Sequence, residues 1–269
     1  MITVHQSTLV DYEKCPYLCF KNWGRVGEPD PVREENELTN KYAMCGTALH
    51  EVLDDWAKAT KGGAKFPLVQ AKELLQDKIE AIPLSQFDDE LDKESWKANM
   101  DEQLEWIWGI YCTKPPLYSE LEFRIENLIP EMLPVAGTID RIDGSLQTRK
   151  INLMDYKTGK QYTKKELLSN IQATLYSLAF EKMFGFLPEN FIFIFSKTKR
   201  EKVIPITQDF LDRGLERIKG IWFKIMSNDF APPHKANKFF CQNFCEVGMD
   251  NCPKWNKKKP KGWQGVDRL

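Results

Sequence analysis

Two aspartates interrupt neighbouring apolar segments near the middle of the chain, and this pattern limits the fold more than any other feature. Asp140 ends the segment Gly137-Thr138-Ile139-Asp140, and Asp155 lies in Met154-Asp155-Tyr156-Lys157. Both segments alternate like β-strands, and Asp143-Gly144 between them is a turn signal. The pattern therefore predicts a tight β-hairpin that brings two carboxylates and a lysine amine together.

These three groups indicate a particular chemistry. Asp155 and Lys157 share one face because side chains alternate along a strand, and Asp140 can converge on them from the partner strand. Two close carboxylates repel each other unless a cation lies between them, and Mg²⁺ and Mn²⁺ prefer oxygen ligands. Such a metal can activate a water beside a phosphodiester, with Lys157 orienting that water or screening the developing charge. The alternative is a surface hairpin with ordinary solvated charges.

The segments around the hairpin predict an α/β fold with a mixed central β-sheet flanked by helices, a helical insertion and a cysteine-bearing cap. Strands are expected at 118–128, 132–143, 150–157, 191–195 and 201–206. Helices are expected at 6–14, 37–60, 68–82, 95–112, 164–184 and 208–227. We expect a single domain over 1–269, divided into an N-terminal segment (1–36), a helical region (37–114), a core (115–229) and a C-terminal tail (230–269).

Charge and hydropathy restrict the partners. The formal net charge is −1, so no global positive field attracts nucleic acid, and DNA binding must come from local patches and bound metal. The first residues lack the charged start and apolar run of a signal peptide, and no apolar stretch approaches the length of a membrane span. We therefore expect a cytoplasmic protein with no membrane partner.

Further polar residues are candidates for the same site. His50 follows Gly46 by one helical turn, and a mid-helix glycine costs about 1 kcal/mol relative to alanine, which indicates close packing or a nearby ligand. Gln172 and Tyr176 share a helix face at i, i+4 spacing. Alone, these residues also fit a structural histidine and a half-buried helix shoulder. One of three strand glutamates is a candidate outer carboxylate, although an exposed strand face fits them at least as well: Glu120, Glu122 and Glu126. Gly137 suits a backbone that must approach a bulky substrate.

The cysteines predict a second site. There are seven, an odd number without an export signal, which favours reduced thiols or metal ligands over disulfides. Cys241, Cys245 and Cys252 lie within twelve residues, and Cys15 lies near the N-terminus. Four thiolates can fasten the two chain ends around an iron–sulfur cluster or zinc, which they suit equally. Unrelated tail thiols are the alternative. Cys19 is a substitute for Cys15, while Cys45 and Cys112 fit buried small hydrophobes.

Two basic segments are candidates for a single-strand DNA track, with plain solvated surface as the alternative. The first places lysines between Trp255 and Trp263, namely Lys254, Lys257, Lys258, Lys259 and Lys261. The second marks the predicted hairpin near residue 200, namely Lys197, Lys199, Arg200 and Lys202.

The sequence GTIDRID followed by DYKTGK resembles the PD-(D/E)xK nuclease superfamily, specifically its RecB-like exonuclease branch, which includes CRISPR-associated RecB-like and AddB-type iron–sulfur nucleases. The resemblance covers about Ser7 to Cys252. It implies a restriction-endonuclease-like core in which Asp140 and Asp155 bind Mg²⁺ or Mn²⁺ and Lys157 is the catalytic lysine. It further implies His50 and the Tyr156 carbonyl as metal ligands, and a Gln172–Tyr176 pair that supports the site and contacts DNA.

The same resemblance implies a [4Fe–4S] cluster, with zinc as the alternative, on Cys15, Cys241, Cys245 and Cys252. It implies a metal-dependent DNA exonuclease that prefers single strands and acts in recombination, repair, replication or CRISPR adaptation, with protein partners from those processes, inside a prokaryotic or infected prokaryotic cell. A structure-selective or sequence-specific endonuclease and a non-catalytic DNA-binding or assembly subunit are the alternatives.

Overall fold

The computed structural model describes residues 1–29, 41–233, 235, 237–243, 245 and 247–256. The helices are α1 (Gln6–Lys14), α2 (Pro16–Trp23), α3 (Lys41–Lys61), α4 (Leu68–Glu80), α5 (Glu90–Tyr111), α6 (Lys164–Leu167), α7 (Ile171–Phe184), α8 (Gln208–Met226), α9 (Lys238–Asn243) and α10 (Gly248–Asn251). The strands are β1 (Val4–His5), β2 (Tyr118–Ile125), β3 (Val135–Ser145), β4 (Lys150–Lys157), β5 (Asn190–Phe195) and β6 (Arg200–Pro205). Residues 37–40 of one predicted helix lie outside the described residues.

The six described strands form one mixed sheet in the order β1-β3-β4-β5-β6, with β2 also paired to β3. The hairpins β2–β3, β3–β4 and β5–β6 are antiparallel. Strand β4 runs parallel to β5, and the connection between them crosses over through α6 and α7. This mixed sheet flanked by helices confirms the predicted α/β, restriction-endonuclease-like fold.

A fork opens along one edge of β3. Strand β2 pairs with β3 along its length, so β1 and β4 must both pair with the opposite edge. Strand β1 occupies that edge at Val135 and Ala136, while the β4 ladder reaches only as far as Arg141. Residues 137–140 therefore lie between the two partners, and Asp140 is placed where β3 and β4 part.

Helices cover both faces of the sheet. The apolar run Phe191–Phe195 is buried throughout, and its alternate side chains enter different cores. Phe191, Phe193 and Phe195 pack in the core formed with α1, α7 and α8. Ile192 and Ile194 pack in the core formed with α3, α4 and α5. The predicted helical insertion is thus one of the two layers that enclose the sheet.

The predicted turn at Asp143-Gly144 is wrong. Both residues belong to β3, and the turn lies at 146–149. Gly144 has φ +125°, and a Cβ there would lie 2.0 Å from the Lys150 carbonyl oxygen. Glycine is therefore required by close approach of the two strands.

The predicted helix at 164–184 is two helices. Asn170 begins α7, because its side chain accepts a hydrogen bond from the Ala173 amide at 3.0 Å, which caps the new helix and interrupts the old one. Helix α2 and the short strand β1 were not predicted. Among the described residues, no helix is both long enough and apolar enough to cross a lipid bilayer.

Candidate metal centre and its neighbours

Asp140 is anchored at the fork by the backbone of β4. Its Oδ2 accepts a hydrogen bond from the Tyr156 amide at 2.8 Å, in place of a strand-to-strand bond. The side chain is nearly buried, with 8% of the residue exposed. Strand pairing therefore fixes a carboxylate where the Tyr156 peptide leaves the ladder.

Helix α3 brings His50 to the same place. His50 Nε2 lies 3.1 Å from the Tyr156 carbonyl oxygen, and Nδ1 lies 3.4 Å from Asp140 Oδ2. Gly46, one turn earlier, faces the end of β4, and a Cβ there would lie 3.3 Å from Thr158 Oγ1. Glycine thus lets α3 approach the strand that carries the Tyr156 carbonyl.

Glu120 completes a cluster of possible metal ligands. His50, Glu120 and Asp140 each offer a ligand atom within 4.8 Å of the others, and no other three His, Cys, Asp or Glu residues in the described part of the chain do so. The neighbouring pairs Ser119–Arg141 and Leu121–Ile139 place Glu120 opposite Asp140. Sequence reasoning gave Glu120 no preference over Glu122 and Glu126, because the register of β2 against β3 decides which glutamate faces Asp140.

The backbone of Glu120 is strained. Its φ is +44°, in the left-handed region, although it lies within a strand. For residues other than glycine, this conformation costs about 1–2 kcal/mol. In this strained conformation, Glu120 Oε1 lies 3.8 Å from His50 Nδ1.

The cluster concentrates negative charge. Burial and the neighbouring Asp155 raise the pKa of Asp140 to about 7. Burial alone lowers the pKa of His50, but Asp140, Glu120 and Asp155 raise it, and the net pKa is about 9. The positive charge of protonated His50 therefore offsets the negative charge of the carboxylates. A bound metal cation can take over this role.

Asp155 and Lys157 lie next to this cluster on β4. Lys157 Nζ is 2.7 Å from Asp155 Oδ2, which confirms that the two side chains share a face. Burial lowers the pKa of Lys157, but the carboxylates of Asp155 and Asp140 raise it above its usual value, so the amine stays charged. Asp155 is 2% exposed and is not among the three clustered ligands.

Gln172 and Tyr176 approach this pair from α7. The Gln172 amide donates a hydrogen bond to Asp155 Oδ1. Tyr176 is buried against Phe123, with ring centroids 5.4 Å apart, and burial raises the pKa of its hydroxyl. The i, i+4 spacing on α7 therefore places Gln172 against Asp155 of β4 and Tyr176 in the aromatic core.

The substrate-approach interpretation of Gly137 does not hold. A Cβ at this position would lie 2.9 Å from Phe123 Cζ and 3.1 Å from Tyr176 Cε1. Glycine is needed because two buried aromatic rings pack on the backbone.

The structure brings the four predicted cluster cysteines to one cavity of about 270 Å³ between α2 and the C-terminal segment. Cys15, Cys241, Cys245 and Cys252 all line it, together with apolar side chains such as Tyr17 and Trp255. Burial raises the pKa of the Cys15 thiol, with smaller contributions from Cys252 and Cys241. Cys19 is fully buried and is not a lining residue. Cys45 is fully buried among α3–α5, and Cys112 packs partly buried against the same core.

The two basic segments are described only in part. Lys199 Nζ pairs with Glu102 Oε1 at 2.6 Å. Trp255 packs against the cysteine-lined core. Lys257, Lys258, Lys259, Lys261 and Trp263 lie outside the described residues, so the predicted DNA track stays a prediction.

Comparison with known proteins adds one result. The family model described as the PD-(D/E)XK nuclease superfamily matches residues 3–252. The match includes the fork, His50 and the four cavity cysteines. No curated protein matches the chain.

Proposed function

Since this chain belongs to the PD-(D/E)XK nuclease superfamily, we propose that it is a metal-dependent DNA exonuclease that prefers single strands. Membership indicates a nuclease that uses Mg²⁺ or Mn²⁺ on a DNA substrate. One observation carries the metal-dependent nuclease: His50, Glu120 and Asp140 converge beside the Tyr156 carbonyl, with Lys157 on the same strand as Tyr156. The exonuclease action and the single-strand preference rest on the family resemblance.

The donor set at the fork fits a hard divalent cation. Two carboxylates and a backbone carbonyl supply the oxygen ligands that Mg²⁺ and Mn²⁺ prefer, and the imidazole favours Mn²⁺ somewhat over Mg²⁺. Asp155 is a further ligand in this proposal, once its carboxylate turns from Lys157. A bound cation supplies positive charge that lowers the pKa of a water and stabilises a charged phosphate.

The remaining residues position the reaction. Lys157 keeps its charge and lies beside Asp155, so its ammonium can orient the attacking water or stabilise charge on the scissile phosphate. Gln172 holds the Asp155 carboxylate through its amide. Tyr176 supports α7 against the sheet, and the family resemblance supports a DNA contact by this pair.

The cysteine-lined cavity fits a four-thiolate cofactor, and we propose a [4Fe–4S] cluster. Four thiolates suit an iron–sulfur cluster and zinc equally on ligand softness, and the family resemblance favours the iron–sulfur cluster. Its thiolates would join α2 to the C-terminal segment and contribute to folding.

We place the activity in the cytoplasm of a prokaryotic or infected prokaryotic cell, in recombination, repair, replication or CRISPR adaptation, with protein partners from that process. The formal charge of −1 supports modest, salt-sensitive binding to DNA through local contacts.

Anaerobically purified protein, incubated with linear single strands labelled at either end, tests this function. Mn²⁺-dependent release of one labelled end first, with no cleavage of a covalently closed single-stranded circle, supports the exonuclease. Cleavage of the circle would establish an endonuclease instead. No cleavage of any DNA, with Mn²⁺ bound, would leave a non-catalytic DNA-binding subunit.

A further inference from the structure

A buried arginine lies immediately behind the candidate metal centre. Arg141 follows Asp140 in β3, and only 2% of it is exposed. Its Nε donates a hydrogen bond to Asp143 Oδ1 at 2.9 Å, which pairs the charge. A buried charge is costly to desolvate, so its presence here calls for a structural or functional reason.

Arg141 contacts two of the other elements that supply the site, β4 and α3. Its Nη1 donates to the Tyr156 hydroxyl on β4 at 3.4 Å. Its guanidinium lies 5.7 Å from the ring centroid of Trp56 on α3 and 6.0 Å from that of Tyr111 on α5. One side chain thus joins β3, which carries Asp140, to β4, which carries the Tyr156 carbonyl, and to α3, which carries His50.

Tyr156 connects this arginine to the metal ligands. The Tyr156 amide donates to Asp140 and its carbonyl faces His50, while the ring is 5% exposed and its hydroxyl faces Arg141. The ring also packs edge-on against His50, with centroids 5.8 Å apart. The ring is therefore held between Arg141 and His50, and displacing it would shift the Cα to which the peptide groups on both sides of residue 156 are attached.

Arg141 and the clustered ligands line the same cavity. A small cavity of about 10 Å³, roughly the space of one water, is lined by His50, Glu120, Asp140, Arg141 and Tyr156, among others. Arg141 is therefore buried beside the clustered ligands and lines the same cavity as they do.

We propose that Arg141 is a positioning residue for the cation site, acting through the Tyr156 ring to fix the Tyr156 carbonyl relative to His50 and Asp140. This inference rests on the proposed function, because it concerns the same site. Outer partners of metal ligands typically change metal affinity by 10- to 100-fold when they are removed.

Mn²⁺ titration followed by the paramagnetic resonance signal of the free ion tests the proposal on the full-length protein. Arg141→Met should raise the Mn²⁺ dissociation constant about tenfold or more. The rate of DNA cleavage at saturating Mn²⁺ should recover to within a few-fold of wild type, because an arginine that is 2% exposed is not accessible to DNA. Tyr156→Phe removes only the hydroxyl and should raise the dissociation constant less, about two- to fivefold.

Two controls separate positioning from general stability. Phe180→Leu alters the opposite core, so it should lower the melting temperature and leave Mn²⁺ affinity unchanged. Asp140→Asn removes a proposed ligand, so the Mn²⁺ binding that this variant loses is the binding at the fork.

If Arg141→Met only lowers the melting temperature and binds Mn²⁺ as wild type does, Arg141 is merely structural. If Arg141→Met fails to fold, unchanged affinity in Tyr156→Phe overturns the proposal. If wild-type protein itself binds no Mn²⁺ at the fork, the proposed function fails first.

Discussion

The fork and the cysteine-lined cavity hold their polar groups in different ways. At the fork, Asp140 accepts a hydrogen bond from the backbone of the adjacent strand, and the ladder beside it begins at Arg141. At the cavity, one cysteine precedes α2 and the other three come from the C-terminal segment around two short helices. The core there has four buried residues: Tyr17, Leu18, Val247 and Cys252. The sheet therefore supports the fork, whereas the cavity has little packing of its own.

This difference indicates which site is built before its cofactor binds. His50, Glu120 and Asp140 already lie close together because strand pairing and α3 place them, so only the Asp155 carboxylate has to turn toward a bound cation. A small apolar core rarely stabilises a segment without a disulfide or metal. We therefore expect the fork to control chemistry and the cavity to control stability.

The largest expected effect separates the sites by activity. Lys157→Ala should lower the single-turnover cleavage rate about a thousandfold, because it removes the charged amine beside the reacting phosphate. Asp155 keeps its Gln172 donor, so the fold should persist by circular dichroism. Lys150→Ala, an exposed change on the same strand, is the matched control and should cleave normally. Normal turnover by Lys157→Ala would remove this lysine from the mechanism.

The next effect separates the sites by stability. Cys241→Ser should lower the melting temperature by about 6–12 °C, which corresponds to roughly 3 kcal/mol for a chain of this size, and should reduce the bound iron. Cys45→Ala, at a fully buried position in the other helical layer, should lose packing but keep the iron. Melting and metal content that both stay at wild-type values in Cys241→Ser would contradict a clasp between the chain ends.

The smallest effect concerns strain at the fork. Glu120→Gly should raise the free energy of unfolding of the metal-free protein by about 1 kcal/mol, because glycine accepts a positive φ without strain. The same variant should lose most of the stabilisation that Mn²⁺ gives to wild type. Glu122→Gly, at a regularly paired strand position, should be destabilised and keep the Mn²⁺ response. A Glu120→Gly protein that is less stable and still responds fully to Mn²⁺ would exclude Glu120 as a strained ligand.

The sequence predicted the elements of the fork well and their register poorly. Alternating apolar residues located β2, β3 and β4, and the shared face of Asp155 and Lys157 follows from the two-residue period of a strand. The turn was misplaced, because Gly144 is also the residue type that a close strand approach requires. A local signal cannot distinguish these two uses of glycine.

Long-range geometry decided what the sequence left open. Glu120 belongs to the ligand cluster because β2 pairs with β3 in one register, and no spacing within 118–128 contains that information. Cys15 lines the cavity and Cys19 does not, because Cys19 packs in the main core beside the sheet whereas Cys15 packs against the residues around the cavity. The roles assigned to the site residues and the identity of the cofactor stay predictions.

Crystals of the protein soaked in Mn²⁺ and measured at the manganese absorption edge test the central claim directly. An anomalous peak bonded to His50, Asp140 and the Tyr156 carbonyl, with Glu120 or Asp155 completing the shell, is the expected result. Manganese bound only elsewhere, with these groups still hydrogen-bonded to one another while the same protein cleaves DNA, would contradict it.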